Sequence, residues 1–166
     1  QSGKMTLCGP KDALQYTSFD EFAFADTYFS RYHHSGDEHD LRMMAASLYR
    51  PIIYHGVHPM PEAFVEGHVE DIAEKLIKID PKILIAIHFN YKVIRRWIES
   101  LYPVVFPPAD PDNKQSADKK KFISPGWGKV RRAMASGDLA AVERIGHLPV
   151  HTVLAEMTDR IKKSRK

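Results

Sequence analysis

Along most of this chain, apolar residues recur at spacings of three and four, the period of a helix with one buried side. Phe22, Ala25, Phe29 and Tyr32 follow that period, with Phe24 and Tyr28 on a neighbouring face. Ser18 three residues before Glu21 reads as a capping box that starts this helix. His33-His34-Ser35-Gly36 is a turn-forming cluster that ends it. Leu41, Met44, Ala45 and Leu48 form the stripe of a second helix, capped by Ser35 or Asp37 and closed by Arg50-Pro51. Residues 52–61 read as a connector, with an extended piece over 52–54 that has no obvious partner strand. A third helix is expected over 62–79, with Phe64 or Val65, Val69, Ile72, Ala73, Leu76 and Ile79 inward. Asp80-Pro81 is an N-cap followed by a first-turn proline. It opens the longest helix, whose inner side is expected to carry Ile83, Ala86, Ile87, Ile94, Trp97, Ile98 and Leu101. Its wetter side is then Tyr91, Lys92, Arg95, Arg96 and Glu99.

The pattern changes over 103–125. Pro107, Pro108 and Pro111 precede a polar run and Lys119-Lys120-Lys121, which predicts a long flexible loop. Beyond it, one short helix is expected from Trp127 to Ala135, stopped by Gly137, and a second, capped by Asp138, from Leu139 to Ile145, ended by Gly146. A terminal helix opens at Pro149 with Val150, Val153, Leu154, Met157 and Ile161 as its stripe. The expected fold is all-α: an irregular, orthogonal bundle of six to seven helices. Its expected parts are a leader over 1–16, a main body over 17–102, the loop, and a C-terminal subdomain over 126–166 packed back on the body.

Composition narrows the class. A hydrophobic fraction of 43% with 27% charged residues is that of a chain able to bury a core. No apolar run approaches the roughly 20 residues that span a bilayer, and the polar start Gln1-Ser2-Gly3-Lys4 predicts no secretory signal. Cys8 is the single cysteine, which rules out an intrachain disulfide and favours a reducing compartment. The net charge of +3 is too small to argue for nucleic acid alone. However, Arg160, Lys162, Lys163, Arg165 and Lys166 concentrate cations at the C-terminus.

Candidate chemistry meets a simpler reading at each place. His33, His34, Asp37, Glu38, His39 and Asp40 cluster in one turn, and His55 and His58 share the connector, but neither set has the spacing of a zinc site. Asp20, Glu21 and Asp26 lie on one helix, the first two with a capping role, and in the third helix Asp71–Lys75 and Glu74–Lys78 are ordinary i,i+4 surface pairs. Gly126-Trp127-Gly128-Lys129 lacks the spacing of a phosphate-binding loop. Lys119 to Lys121, Lys129, Arg131, Arg132 and the basic tail outline a phosphate-contacting surface, which makes a small basic nucleic-acid-binding module the rival reading. Against it, the helix after Gly137 offers only Glu143 and Arg144 as readers of bases. Tyr102, Phe106 and Trp127 border loops, where aromatic anchors for protein partners are common.

Several segments in order carry a family resemblance. They are Thr17-Ser18-Phe19-Asp20-Glu21-Phe22, Ala25-Asp26-Thr27-Tyr28-Phe29, the run from Leu41 to Tyr49-Arg50-Pro51, Asn90-Tyr91, Leu101-Tyr102-Pro103-Val104-Val105-Phe106, Gly126-Trp127 and Leu148-Pro149-Val150-His151-Thr152-Val153-Leu154. Together they resemble small helical proteins encoded among the structural and assembly genes of tailed phages and prophages of Bacteroidetes. The Trp-led helix before a Leu-Pro-started terminal helix looks like the ending of tail assembly chaperones. The resemblance implies a non-enzymatic assembly factor in the host cytoplasm, with no catalytic residues, cofactor or metal. Implied partners are other phage structural or assembly proteins, the tape-measure or tail tube protein among them, and neither membrane nor nucleic acid. A neck or connector protein of the particle is the nearest alternative. The expected partner-binding residues are Tyr102, Phe106, Trp127, Arg131, Arg160 and Lys162.

Overall fold

The computed structural model describes residues 6–107 and 126–165. The predicted loop residues 108–125, with Lys119 to Lys121, lie outside the described residues, as do 1–5 and Lys166. Seven helices make the described part predominantly helical: α1 (Phe19–Ser35), α2 (Glu38–Leu48), α3 (Glu66–Leu76), α4 (Pro81–Leu101), α5 (Trp127–Ala135), α6 (Leu139–His147) and α7 (Val150–Ser164). A small three-stranded sheet accompanies them.

Local chemistry sets the helix ends where the sequence predicts them. Ser18 Oγ accepts from the Glu21 amide, Asp37 from His39, Asp80 from Lys82, and Asp138 from both Ala140 and Ala141. Gly36 closes α1 with φ of 70°, a left-handed cap that costs a glycine little. Helix α2 sits centrally, since eight of its eleven residues are buried, from Asp40 to Leu48 with only Arg42 less so. The buried Ser47 hydroxyl bonds back to the carbonyls of Met43 and Met44.

The connector differs from the expectation of an unpartnered piece. It folds as a hairpin, β2 (Arg50–His55) against β3 (His58–Pro61), with Ile53 opposite Met60. Two residues make the turn, and Gly56 supplies its positive φ of 63°. The Glu62 amide donates to Pro51 O, so the register turns Pro59 and Pro61 toward the free edge, where prolines offer no N–H to another strand. The hairpin also delays α3. Residues 62–65 leave the sheet in extended form and Phe64 packs on Phe24, so the helix starts at Glu66 rather than at 62.

The expected leader is also part of the body. β1 (Leu7–Cys8) pairs with β2, Leu7 opposite Pro51, and Leu14 is fully buried. Helix α7 enters the same junction: Phe19 N donates to Leu148 O, and Val150 N to Thr17 O. Helix α6 reaches α1 at Gly146, where any Cβ would collide with the Asp20 carboxylate. The C-terminal helices thus pack on the body, with Trp127, Val150, Val153 and Leu154 in a common core with Phe19, Phe22 and Leu14.

Candidate interaction surface

Helix α4 buries a different side from the one its hydrophobic residues predict. The buried positions are Leu84, His88, Tyr91 and Ile98, and with half-buried Arg95 they run at alternating spacings of four and three. That near-3.5 period keeps a straight stripe against α1. Three of its five members carry polar tips, so counting apolar residues overlooks it. What draws them inward is Asp26 of α1, which is fully buried. Asp26 Oδ1 accepts from Arg95 Nε at 2.5 Å and Tyr91 Oη at 3.2 Å, and Oδ2 accepts from Trp127 Nε1 at 2.8 Å. Burial, then the adjacent Asp26 carboxylate, pushes the Tyr91 phenol well above its usual pKa, so it stays a donor. One turn further along α1, Phe29 stacks on His88 at 5.2 Å, and His88 Nε2 lies 3.2 Å from His33 Nε2. Desolvation lowers the pKa of both imidazoles, and Lys92 adds to the effect on each.

With that side turned in, hydrocarbon is turned out. Ile85, Phe89, Val93, Trp97 and Leu101 follow one another at spacings of four, and all are exposed. Phe89 is 61% and Val93 64% accessible, and even Trp97 remains 44% accessible beside the His151 ring. The expectation that Ile83, Trp97 and Leu101 form the core side is therefore corrected: the Asp26 cluster rotates them to the surface. Five residues on an i+4 row make a ridge about 24 Å long. Its polar neighbours on the exposed side include Lys82, Asn90 and Arg96. Glu99, the only acid in the helix, is held by Arg95.

The residues singled out for partner binding fare unevenly. Trp127 is withdrawn from the surface: it is buried, it donates to Asp26, and the rings of Phe19, Phe22 and Phe106 surround it. Phe106 is half-buried in that cluster. Tyr102 Oη lies 3.1 Å from His151 Nδ1, linking α4 to α7. Arg131 bridges α5 to Asp20 of α1. Arg160 spans Glu156 and Met134 O, while Lys162 is exposed. The structure thus brings Trp127, Phe106 and Arg131 together as an internal strut between α1 and α5, apart from the α7 residues. In the histidine turn, Asp37 caps α2, Asp40 pairs with Arg31, and His33 meets His88. Among the described residues, no three His, Cys, Asp or Glu side chains converge as metal ligands.

A second feature lies where α1, the hairpin and the end of α6 meet. An open cleft of about 750 Å³ is walled by Tyr16, Met60, Pro61, Ala63 and Phe64. At its side, buried Arg50 donates through Nη1 to Glu21 Oε1 at 2.8 Å and through Nε to Glu62 O at 2.6 Å. The capping-box reading of Glu21 is half right. Ser18 caps its amide, but its carboxylate turns to Arg50 rather than back to the helix start. Burial raises the Glu21 pKa against the opposing pull of Arg50.

The ridge and the cleft were missed for the same reason. Each depends on a charged pair whose members lie far apart in the chain, 29 residues for Glu21 and Arg50 and 69 for Asp26 and Arg95. The one local signal was the unbroken spacing of four from Ile85 to Leu101 beside the alternating spacing from Leu84 to Ile98. No protein-family model, curated protein or solved structure matches this chain. No described helix is long and apolar enough to cross a membrane.

Proposed function

We propose that this protein is a non-enzymatic binding factor that holds an acidic amphipathic helix of a partner protein on the outer side of α4. We further propose that it serves as a phage tail assembly chaperone or related morphogenesis factor, with the tape-measure or tail tube protein as that partner. The observation carrying the binding role is the exposed ridge from Ile85 to Leu101. Contiguous exposed apolar surface of this kind marks interaction sites, and a helix laid along it reads as anchors at regular helical spacing. Covering a large apolar side chain is worth about 1.5–3 kcal/mol when burial is complete, so a few such anchors support a stable complex. An i+4 ridge suits a partner helix crossing at roughly 50°.

Charge selects the partner's chemistry. Lys82 and Arg96 flank the ridge and Lys92 lies beside it, with no unpaired acid on the helix. A second copy would set these cations against their own counterparts, whereas an acidic helix would complement them. The phage assignment rests on the segment resemblance described above and on a surface that works by contact. It is tested by co-expressing the full chain with the tape-measure and tail tube proteins encoded beside it. Co-purification with one of them is expected, and its loss in the double variant Phe89→Lys, Trp97→Lys. Failure to co-purify with either protein overturns the assignment.

A further inference from the structure

We propose that the cleft between α1 and the hairpin is a second binding site, which takes an extended peptide segment with one large apolar side chain in the cleft and its backbone amide on the Glu21–Arg50 pair. Its volume, about 750 Å³, falls within the range of sites that bury a small ligand, and its walls have the matching character. Tyr16, Met60, Pro61 and Phe64 supply apolar surface; of the charged and imidazole groups that line it, Lys11, His58, Glu62 and His147 are exposed, whereas Glu21 and Arg50 are buried.

Those polar groups define the ligand. Glu21 and Arg50 are both more than nine-tenths buried. Arg50 Nη1 and Nε are committed to Glu21 Oε1, Ser47 O and Glu62 O. Glu21 and Arg50 both line the cleft, and among the described residues no hydrogen bond reaches Glu21 Oε2 or leaves Arg50 Nη2. An acceptor and a donor are thus presented side by side at an apolar wall. An anion there would meet the Glu21 carboxylate, and a cation would meet the Arg50 guanidinium. A neutral amide satisfies both, its carbonyl accepting from Arg50 and its N–H donating to Glu21. Strand addition along the sheet is not the mode of binding, because the free edge of β3 carries Pro59 and Pro61. The cleft shares no residue with the α4 ridge, so either site can fail alone.

The test is an NMR titration of the full chain with N-acetyl-phenylalanine amide, following the Arg50 Nε–H resonance and the backbone amides of Ser18, Met60 and Phe64. Saturable shifts at these positions are expected, with Kd of about 1 mM for a ligand of this size. The exposed wall residue Ala63, changed to Trp, should fill the cleft and weaken binding at least tenfold; Met60→Trp serves the same purpose should Ala63→Trp not fold. N-acetyl-phenylalanine, which ends in a carboxylate, and toluene should each bind at least tenfold more weakly than the amide. No saturable shift by 20 mM overturns the site, as does binding unchanged in the folded plug variant. Equal affinity for the carboxylate or for toluene overturns amide recognition.

Discussion

The two sides of α4 invert the usual division of a surface helix. The side packed on α1 holds a phenol and a guanidinium on Asp26 and an imidazole one turn away, while the side facing solvent holds isoleucine, phenylalanine, valine, tryptophan and leucine. A helix ordinarily turns its hydrocarbon inward. Here three charge-assisted or neutral hydrogen bonds to one buried carboxylate outweigh that preference. Leaving the buried Asp26 carboxylate without its cation would cost several kcal/mol, and turning the ridge inward would leave it with the Trp127 indole alone. The comparison teaches that burial in this helix follows polar satisfaction, and that the apolar side left over faces solvent.

Breaking the inner side should have the largest effect on folding stability. Asp26→Ala leaves the Tyr91 phenol and the Trp127 indole without their acceptor and Arg95 with Glu99 alone, and a loss of about 3 kcal/mol is expected in urea denaturation. Tyr91→Phe keeps the ring against Phe29 and removes one hydrogen bond, so about 1 kcal/mol should be lost. A loss as large as that of Asp26→Ala would mean that Tyr91, not Arg95, anchors the cluster.

A smaller effect should appear with pH. The folded-state pKa values of His33 and His88 lie below the ordinary imidazole value of 6.5. The unfolded chain therefore takes up protons first as pH falls. The stabilising contribution is complete above that value and declines as pH drops through it. His88→Phe, which preserves packing on Phe29, should flatten the slope of stability as pH falls below the ordinary imidazole value of 6.5. Glu21 has its pKa raised, so it contributes the opposite slope at lower pH: its share of stability is lost as pH rises from the ordinary value of 4.5 toward its own. An unchanged slope in His88→Phe would show that the imidazole pair is not the source.

The smallest effect on folding is expected on the outer side. Phe89→Lys with Trp97→Lys should change stability by no more than about 0.5 kcal/mol per site. The same variant should abolish partner capture, and this separation of binding from folding is the sharpest form of the comparison. A large destabilisation would mean that the ridge is needed for the fold itself.

Much of this molecule was legible in the residues alone, because helix ends are local. Ser18, Asp37, Asp80 and Asp138 cap the helices they precede through side chains two or three residues from the amides they satisfy, and Gly36 turns the chain with no distant partner. The stripes of α1, α2 and α7 were legible too, since most of their buried residues are plain hydrocarbons or rings at helical spacing. The tertiary structure alone decided which side of α4 is buried, that Trp127 is a strut rather than an anchor, and that Glu21 serves Arg50. Asp26 meets Tyr91, Arg95 and Trp127 across 65, 69 and 101 residues of chain, and no local period encodes a bond of that reach. The sequence by itself determined that α4 is a helix. The buried carboxylate of α1, by demanding partners, determined which way it faces.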